Sequence, residues 1–149
     1  MIDFKKFATE SNKIEGEKKA SRNQVYALQW FISHELTKKN TLEYHRMVAE
    51  NLPKEQRGVY RKFEITIGGR PAGTPHYAIQ NKMDDFFRGI EKMDSWEAHN
   101  LFEKIHPFAD YNGRTGRAIW LWKFLNEEGG KLNLSFLHRF YYQTLQHCL

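Results

Sequence analysis

The stretch His106-Pro107-Phe108-Ala109-Asp110-Tyr111-Asn112-Gly113-Arg114-Thr115-Gly116-Arg117 constrains this chain more than any other. Ala98, Leu101, Phe102 and Ile105 precede it at helical spacing, and the long apolar run 118–125 follows it. It therefore reads as a loop that joins two helices and opens the second. Pro107 disfavours continued helix at His106, while Asn112 and Gly113 tolerate left-handed backbone that most residues avoid. A helix opened by a glycine-containing loop aims free N–H groups and the positive end of its dipole at one point. Arg114 and Arg117, three residues apart, share a face there. Asp110 supplies a hard oxygen suited to Mg²⁺, and His106 is a candidate base. The chemistry of these residues describes a Mg²⁺-nucleotide phosphate site with a base beside it. The plain alternative is a helix cap with surface ion pairs.

The order of residues resembles the signature of the Fic family, His-x-Phe-x-Asp/Glu-Gly-Asn-Gly-Arg-x-x-Arg. It matches at His106, Phe108, Asp110, Asn112, Gly113, Arg114 and Arg117, and departs at Tyr111, where the family has its first glycine. The resemblance implies a mainly helical, all-α Fic fold with one short β-hairpin flap. It also implies transfer of AMP from ATP to a Tyr, Thr or Ser hydroxyl of a target protein. His106 would be the base, Asp110 the Mg²⁺ ligand, and Asn112, Gly113, Arg114 and Arg117 the phosphate site. Upstream, Ser11-Asn12-Lys13-Ile14-Glu15-Gly16 resembles the family's inhibitory motif, Ser/Thr-x-x-x-Glu-Gly/Asn. By that resemblance Ser11, Glu15 and Gly16 form a brake in which Glu15 pairs with Arg117. Tyr111 leaves other Fic chemistries open, namely transfer of UMP, GMP or phosphate, or removal of AMP. A non-catalytic nucleotide-binding or toxin-like module is the reading from another class; a retained His106 and Asp110 argue against it.

With 149 residues the chain suits one domain with a single core. The expected layout is residues 1–20 as an inhibitory segment and 21–149 as the Fic core. A lone cysteine, Cys148, excludes internal disulfides, which fits a reducing, bacterial cytoplasm. No apolar run is long enough to span a membrane, and Met1 to Lys6 lacks the apolar stretch of a secretory signal. The net charge of +5 comes from scattered lysine pairs, not a stripe, so nucleic acid is not the expected partner. ATP and a target protein are, with self-modification as a variant. No heptad seam specifies a dimer, although exposed helix faces permit one.

Along the chain, a helix over 3–15 ends at Gly16. Ser21 caps a second helix and Thr41 a third, which Pro53 ends. His45 reads as a packed core residue. Val59, Arg61, Phe63, Ile65 and Ile67 alternate with polar neighbours up to Gly68-Gly69, which predicts a hairpin. Resemblance makes it the target-binding flap, with Phe63, Ile65 and Ile67 as its contact residues. Asp94-Ser95-Trp96-Glu97 is a capping box for the helix that ends in His106. The helix after the loop should run to Gly129-Gly130, and Ser135 should open a last one. No histidine pair has metal-ligand spacing, so no metal beyond Mg²⁺ is expected.

Overall fold

A computed structural model describes residues 3–129 except Lys18 and Ala72. Six α-helices and one two-stranded sheet make up the described residues. The helix expected from Ser135, with Cys148, lies outside them.

Helix α1 (Phe4–Ile14) is capped by Asp3, whose carboxylate accepts from the Lys6 N–H. It buries Phe7 on the core side and carries Ser11 and Asn12 inward with it. Helix α2 (Arg22–Ile32) starts at the expected Ser21, in a reciprocal capping box with Gln24. Helix α3 (Lys38–Val48) starts one turn earlier than expected. Thr37 is the cap, bonded to the Asn40 N–H at 3.1 Å, and Thr41 is buried within the helix, its hydroxyl donating to the Thr37 carbonyl. Lys38, Lys39 and Asn40 are all compatible with helix, so Thr37 captures the end first. The same helix stops at Val48, before Pro53, which instead opens a short 3₁₀ turn.

The predicted strand shrinks to Thr66–Ile67 (β1), antiparallel to Arg70–Pro71 (β2), around Gly68 and Gly69. Both glycines have positive φ, as a two-residue hairpin turn of the primed type requires. Residues 59–65 form no ladder. The reason is Arg61, which the alternation would leave half-buried on a strand but which turns fully inward to bond the end of another helix. Just before it, Gly58 (φ +66) passes so close to α3 that a Cβ would fall 2.8 Å from the Leu42 carbonyl.

Helices α4 (Ile79–Gly89) and α5 (Ser95–Ile105) follow, the latter with Asp94 and Glu97 in the predicted capping box. Helix α6 (Asn112–Asn126) runs through the centre and packs on α5, α2, α1 and α3. It is buried nearly all round, including Ala118, Ile119, Leu121 and the whole of Lys123. The Lys123 ammonium is satisfied by the Ile90 carbonyl at 2.9 Å and Glu127 at 2.7 Å. The helix ends at Asn126, short of Gly129. Phe108 anchors the loop between α5 and α6. Its ring stacks on His45 at 3.7 Å and meets Tyr60 and Phe102.

Candidate active site

The loop from His106 to Tyr111 is held at both ends by left-handed residues that are not glycine. His106 (φ 52) closes α5 and Tyr111 (φ 64) opens α6. Asn112 and Gly113, expected to supply the left-handed conformations, are ordinary helical residues; the turns fall one step outside them. Left-handed backbone costs an L-residue about 1–2 kcal/mol, so each site needs compensation. At His106 it comes from Arg61. The guanidinium donates to the His106 carbonyl at 2.8 Å, to Thr74 at 2.6 Å and to Phe63 at 3.1 Å, and the Arg61 N–H bonds the Pro107 carbonyl. A cation thus sits at the negative end of α5 and ties both ends of the hairpin region to the loop. At Tyr111 it comes from burial and from Thr115, whose N–H and hydroxyl both donate to the Tyr111 carbonyl.

The side chain of Asn112 works within the loop. Its oxygen accepts the Phe108 N–H at 2.8 Å and its amide donates to the Phe108 carbonyl at 2.9 Å. What it can offer a ligand is its backbone N–H. His45 braces the loop from behind. The Gly58 N–H donates to Nδ1, so the proton lies on Nε2, which donates to the Asp110 carbonyl at 2.9 Å. Burial, only partly offset by that carbonyl, pushes the imidazole down to about 4 and keeps it neutral.

The N-terminus of α6 is an anion pole with Arg114 and Arg117 on its first turns, and a carboxylate already occupies it. Glu15 bonds Arg117 at 2.7 Å. A Cβ on Gly113 would crowd the Glu15 oxygen and stand 3.0 Å from Arg117 Nη1, so the absence of a side chain at 113 leaves room for the pair. Ser11 adds two bonds to Arg117, from the hydroxyl at 2.7 Å and the carbonyl at 3.1 Å. Gly16 (φ +79) turns the chain directly after Glu15. Glu17 then reaches Arg114 at 3.1 Å. The face of the Arg114 guanidinium lies 3.7 Å from the centre of the Tyr111 ring.

His106 is half-buried, and burial lowers its pKa, partly offset by the Glu103 carbonyl 3.4 Å from Nδ1. With Nδ1 as donor to that carbonyl, Nε2 carries the lone pair a base needs. Asp110 is exposed. One oxygen accepts the Tyr111 N–H at 2.7 Å, which leaves the other for a ligand. Among the described residues no group of three His, Cys, Asp or Glu stands at metal-binding distance. A single carboxylate beside an anion pole fits Mg²⁺ that arrives on phosphate oxygens, not a resident metal caged by protein.

His106, Asp110, Gly113, Arg114 and Arg117 thus meet around one loop, with Ser11 and Glu15 brought onto Arg117. Phe63, Ile65 and Ile67 stay outside this cluster. Phe63 and Ile67 are 43% and 48% exposed and Ile65 is half-buried; Arg61 bonds the Phe63 carbonyl, and Phe63 lines a hollow with Ala109 of the loop. The sequence reading missed Arg61, Glu17 and Glu103. Glu103 fills the gap left by Gly116, and its Oε1 is buried without a hydrogen-bond partner. Burial, reinforced by Glu15 and opposed by Arg117, raises it to about 8. Its position one turn before His106 was the only available signal.

Residues 35–123 match the Fic/DOC family, a span that leaves α1 and α2 outside. The chain is 36% identical over 97 residues to a probable protein adenylyltransferase of Aquifex aeolicus, covering 60% of the chain and 28% of that protein. It is 31% identical over 93 residues to the protein adenylyltransferase Fic of Drosophila grimshawi, covering 57% and 19%. The chain therefore spans about a fifth to a quarter of the length of these relatives. A Fic family protein from Desulfovibrio desulfuricans superposes with a TM-score of 0.65 at 21% identity, over 83% of this chain and 48% of that one. Fic-1 from C. elegans gives 0.67 at 20%, over 96% and 55%. At these identities the solved structures establish the fold.

Proposed function

The chain belongs to the Fic/DOC family, and from that premise we propose that it is a protein adenylyltransferase held in check by Glu15. The observation that carries this reading is the grouping, on one loop, of His106 with a free Nε2, Asp110 with a free oxygen, and two guanidiniums at a helix N-terminus. A target hydroxyl attacks the α-phosphorus of ATP and gives its proton to His106 Nε2. The new O–P bond forms as the α–β anhydride bond breaks, and pyrophosphate leaves. Arg114 and Arg117 with the N–H groups of Asn112 and Gly113 take up the charge of the β- and γ-phosphates. Asp110 would hold the Mg²⁺ that accompanies ATP, an ion that would neutralise phosphate charge. The exposed segment from Phe63 and Ile65 into the hairpin strand at Ile67 takes an extended target segment by strand addition, and Arg61 ties that segment to the base through the Phe63 carbonyl.

Glu15 stands on the anion pole itself, which supports a brake formed by residues 1–20 on a core of 21–149. Tyr111 takes the conformation that glycine would take, so the loop keeps its path. That favours plain AMP transfer over the alternatives its presence raises.

The test is incubation with ATP and Mg²⁺ followed by mass measurement of the protein and of added acceptor. A Glu15→Gly protein should gain AMP mass, and His106→Ala in that background should gain none while binding ATP as before. A gain of phosphate mass would point to phosphotransfer, and no gain in either protein would leave only a binding module. The base must be neutral to accept a proton, and burial lowers the pKa of His106. The acid limb of the transfer rate should therefore fall below the ordinary histidine value of about 6.5. A midpoint above 7 would rule out His106 as the titrating base.

A further inference from the structure

Tyr111 is where the loop departs from the family signature, and it makes a contact that glycine cannot. The residue is 3% exposed, and the Arg114 guanidinium carbon sits over its ring, 3.7 Å from the ring centre. His45 meets the same ring edge-on at 6.4 Å, and Thr115 clamps the Tyr111 carbonyl, so the platform itself is fixed. Arg114 is long and lies on the first turn of α6, yet only 8% of it is exposed. Its Nε is buried without a hydrogen-bond partner, and its Nη1 donates to the half-exposed carboxylate of Glu17. The ring is thus a support for the guanidinium that belongs to the loop itself, beside the α1 and α2 residues Ser11, Asn12 and Gln24 that line the same hollow as Arg114.

We infer that Tyr111 is a positioning residue that presents Arg114 to the β-phosphate of a nucleoside di- or triphosphate. This rests on the proposed function and deepens it. A stacked guanidinium is held through its face, so its N–H edge stays available for bidentate bonds to phosphate. Glu17 marks where an anion meets that edge. A guanidinium already oriented loses less freedom when phosphate replaces the carboxylate.

The experiment is calorimetric binding of AMP, ADP and ATP, each with Mg²⁺, to the full chain carrying Glu15→Gly. Tyr111→Phe keeps the ring and should bind all three within twofold. Tyr111→Gly and Tyr111→Asn keep the left-handed backbone without a ring. They should weaken ADP and ATP about three- to tenfold and leave AMP within twofold, because AMP has no β-phosphate. Two ring-free variants that both suit this backbone guard against a folding artefact. The inference is overturned if ring-free variants bind ADP like the parent, weaken AMP as much as ADP, or are matched by Tyr111→Phe. If the Glu15→Gly parent binds no nucleotide, the proposed function falls, and this inference with it.

Discussion

Arg114 and Arg117 leave neighbouring turns of one helix, yet they are held in opposite ways. Arg117 donates to the N-terminal segment, at the Ser11 hydroxyl, the Ser11 carbonyl and Glu15. Arg114 leans on its own loop through the Tyr111 ring and bonds Glu17 from the N-terminal segment. Arg117 is therefore held by residues 11–15, and under the proposed function that hold would have to be released for it to bind phosphate. Arg114 has in the Tyr111 ring a support from its own loop. On the proposed function, one anion pole thus combines a cation held by the N-terminal segment with one supported by its own loop, and a brake would act chiefly on the first.

The largest expected effect follows from that asymmetry. Glu15→Gly removes the carboxylate on the anion pole, and transfer at saturating ATP should rise well over tenfold, read as the initial rate of AMP incorporation by mass. An unchanged rate would dissolve the distinction between the two arginines. Ser11→Ala should act on stability more than on rate. It leaves the Nε of a buried Arg117 without its acceptor, and a hydrogen bond to a charged group contributes about 1.5–3 kcal/mol. Urea unfolding should show a loss in that range, with a smaller activity gain than Glu15→Gly gives. An unaltered midpoint would mean that α1 does not hold Arg117 in solution.

The contrast also explains what could be read from the sequence. The loop was legible because its chemistry is local: His106, Asp110, Gly113, Arg114 and Arg117 lie within twelve residues, and Ser21 and Asp94 announce their helices within one turn. Glu15 became legible only by resemblance, since 102 positions separate it from Arg117. Arg61 had no such help. In an alternating run it looks like one strand residue among others, and the carbonyls it serves lie as far away as His106. Its inward turn is also why 59–65 is no strand. Thr37 and Thr41 sit one turn apart and either could cap α3, so propensity did not separate them. Tyr111 was legible as an obstacle but not as a platform. That it would accept positive φ depends on the burial of its ring beneath Arg114, a tertiary effect that opposes local preference.

The smallest predicted effect concerns Glu17, and it sets how unequal the two arginines are. Glu17 meets Arg114 at 3.1 Å with a side chain 43% exposed, and its backbone N–H is separately tied to the Asn12 carbonyl. Glu17→Gln therefore leaves the chain path intact and removes only a solvated pair, worth about 0–1 kcal/mol. Arg114 stays on the Tyr111 ring in either case. Stability should change by less than about 1 kcal/mol, and transfer in the otherwise unaltered chain by less than about fivefold. Combined with Glu15→Gly, the change should add little, because a half-exposed carboxylate competes weakly with a phosphate for an arginine already in position. A Glu17→Gln protein as active as Glu15→Gly would mean that both guanidiniums are sequestered alike. The Tyr111 ring would then count for nothing in readying Arg114.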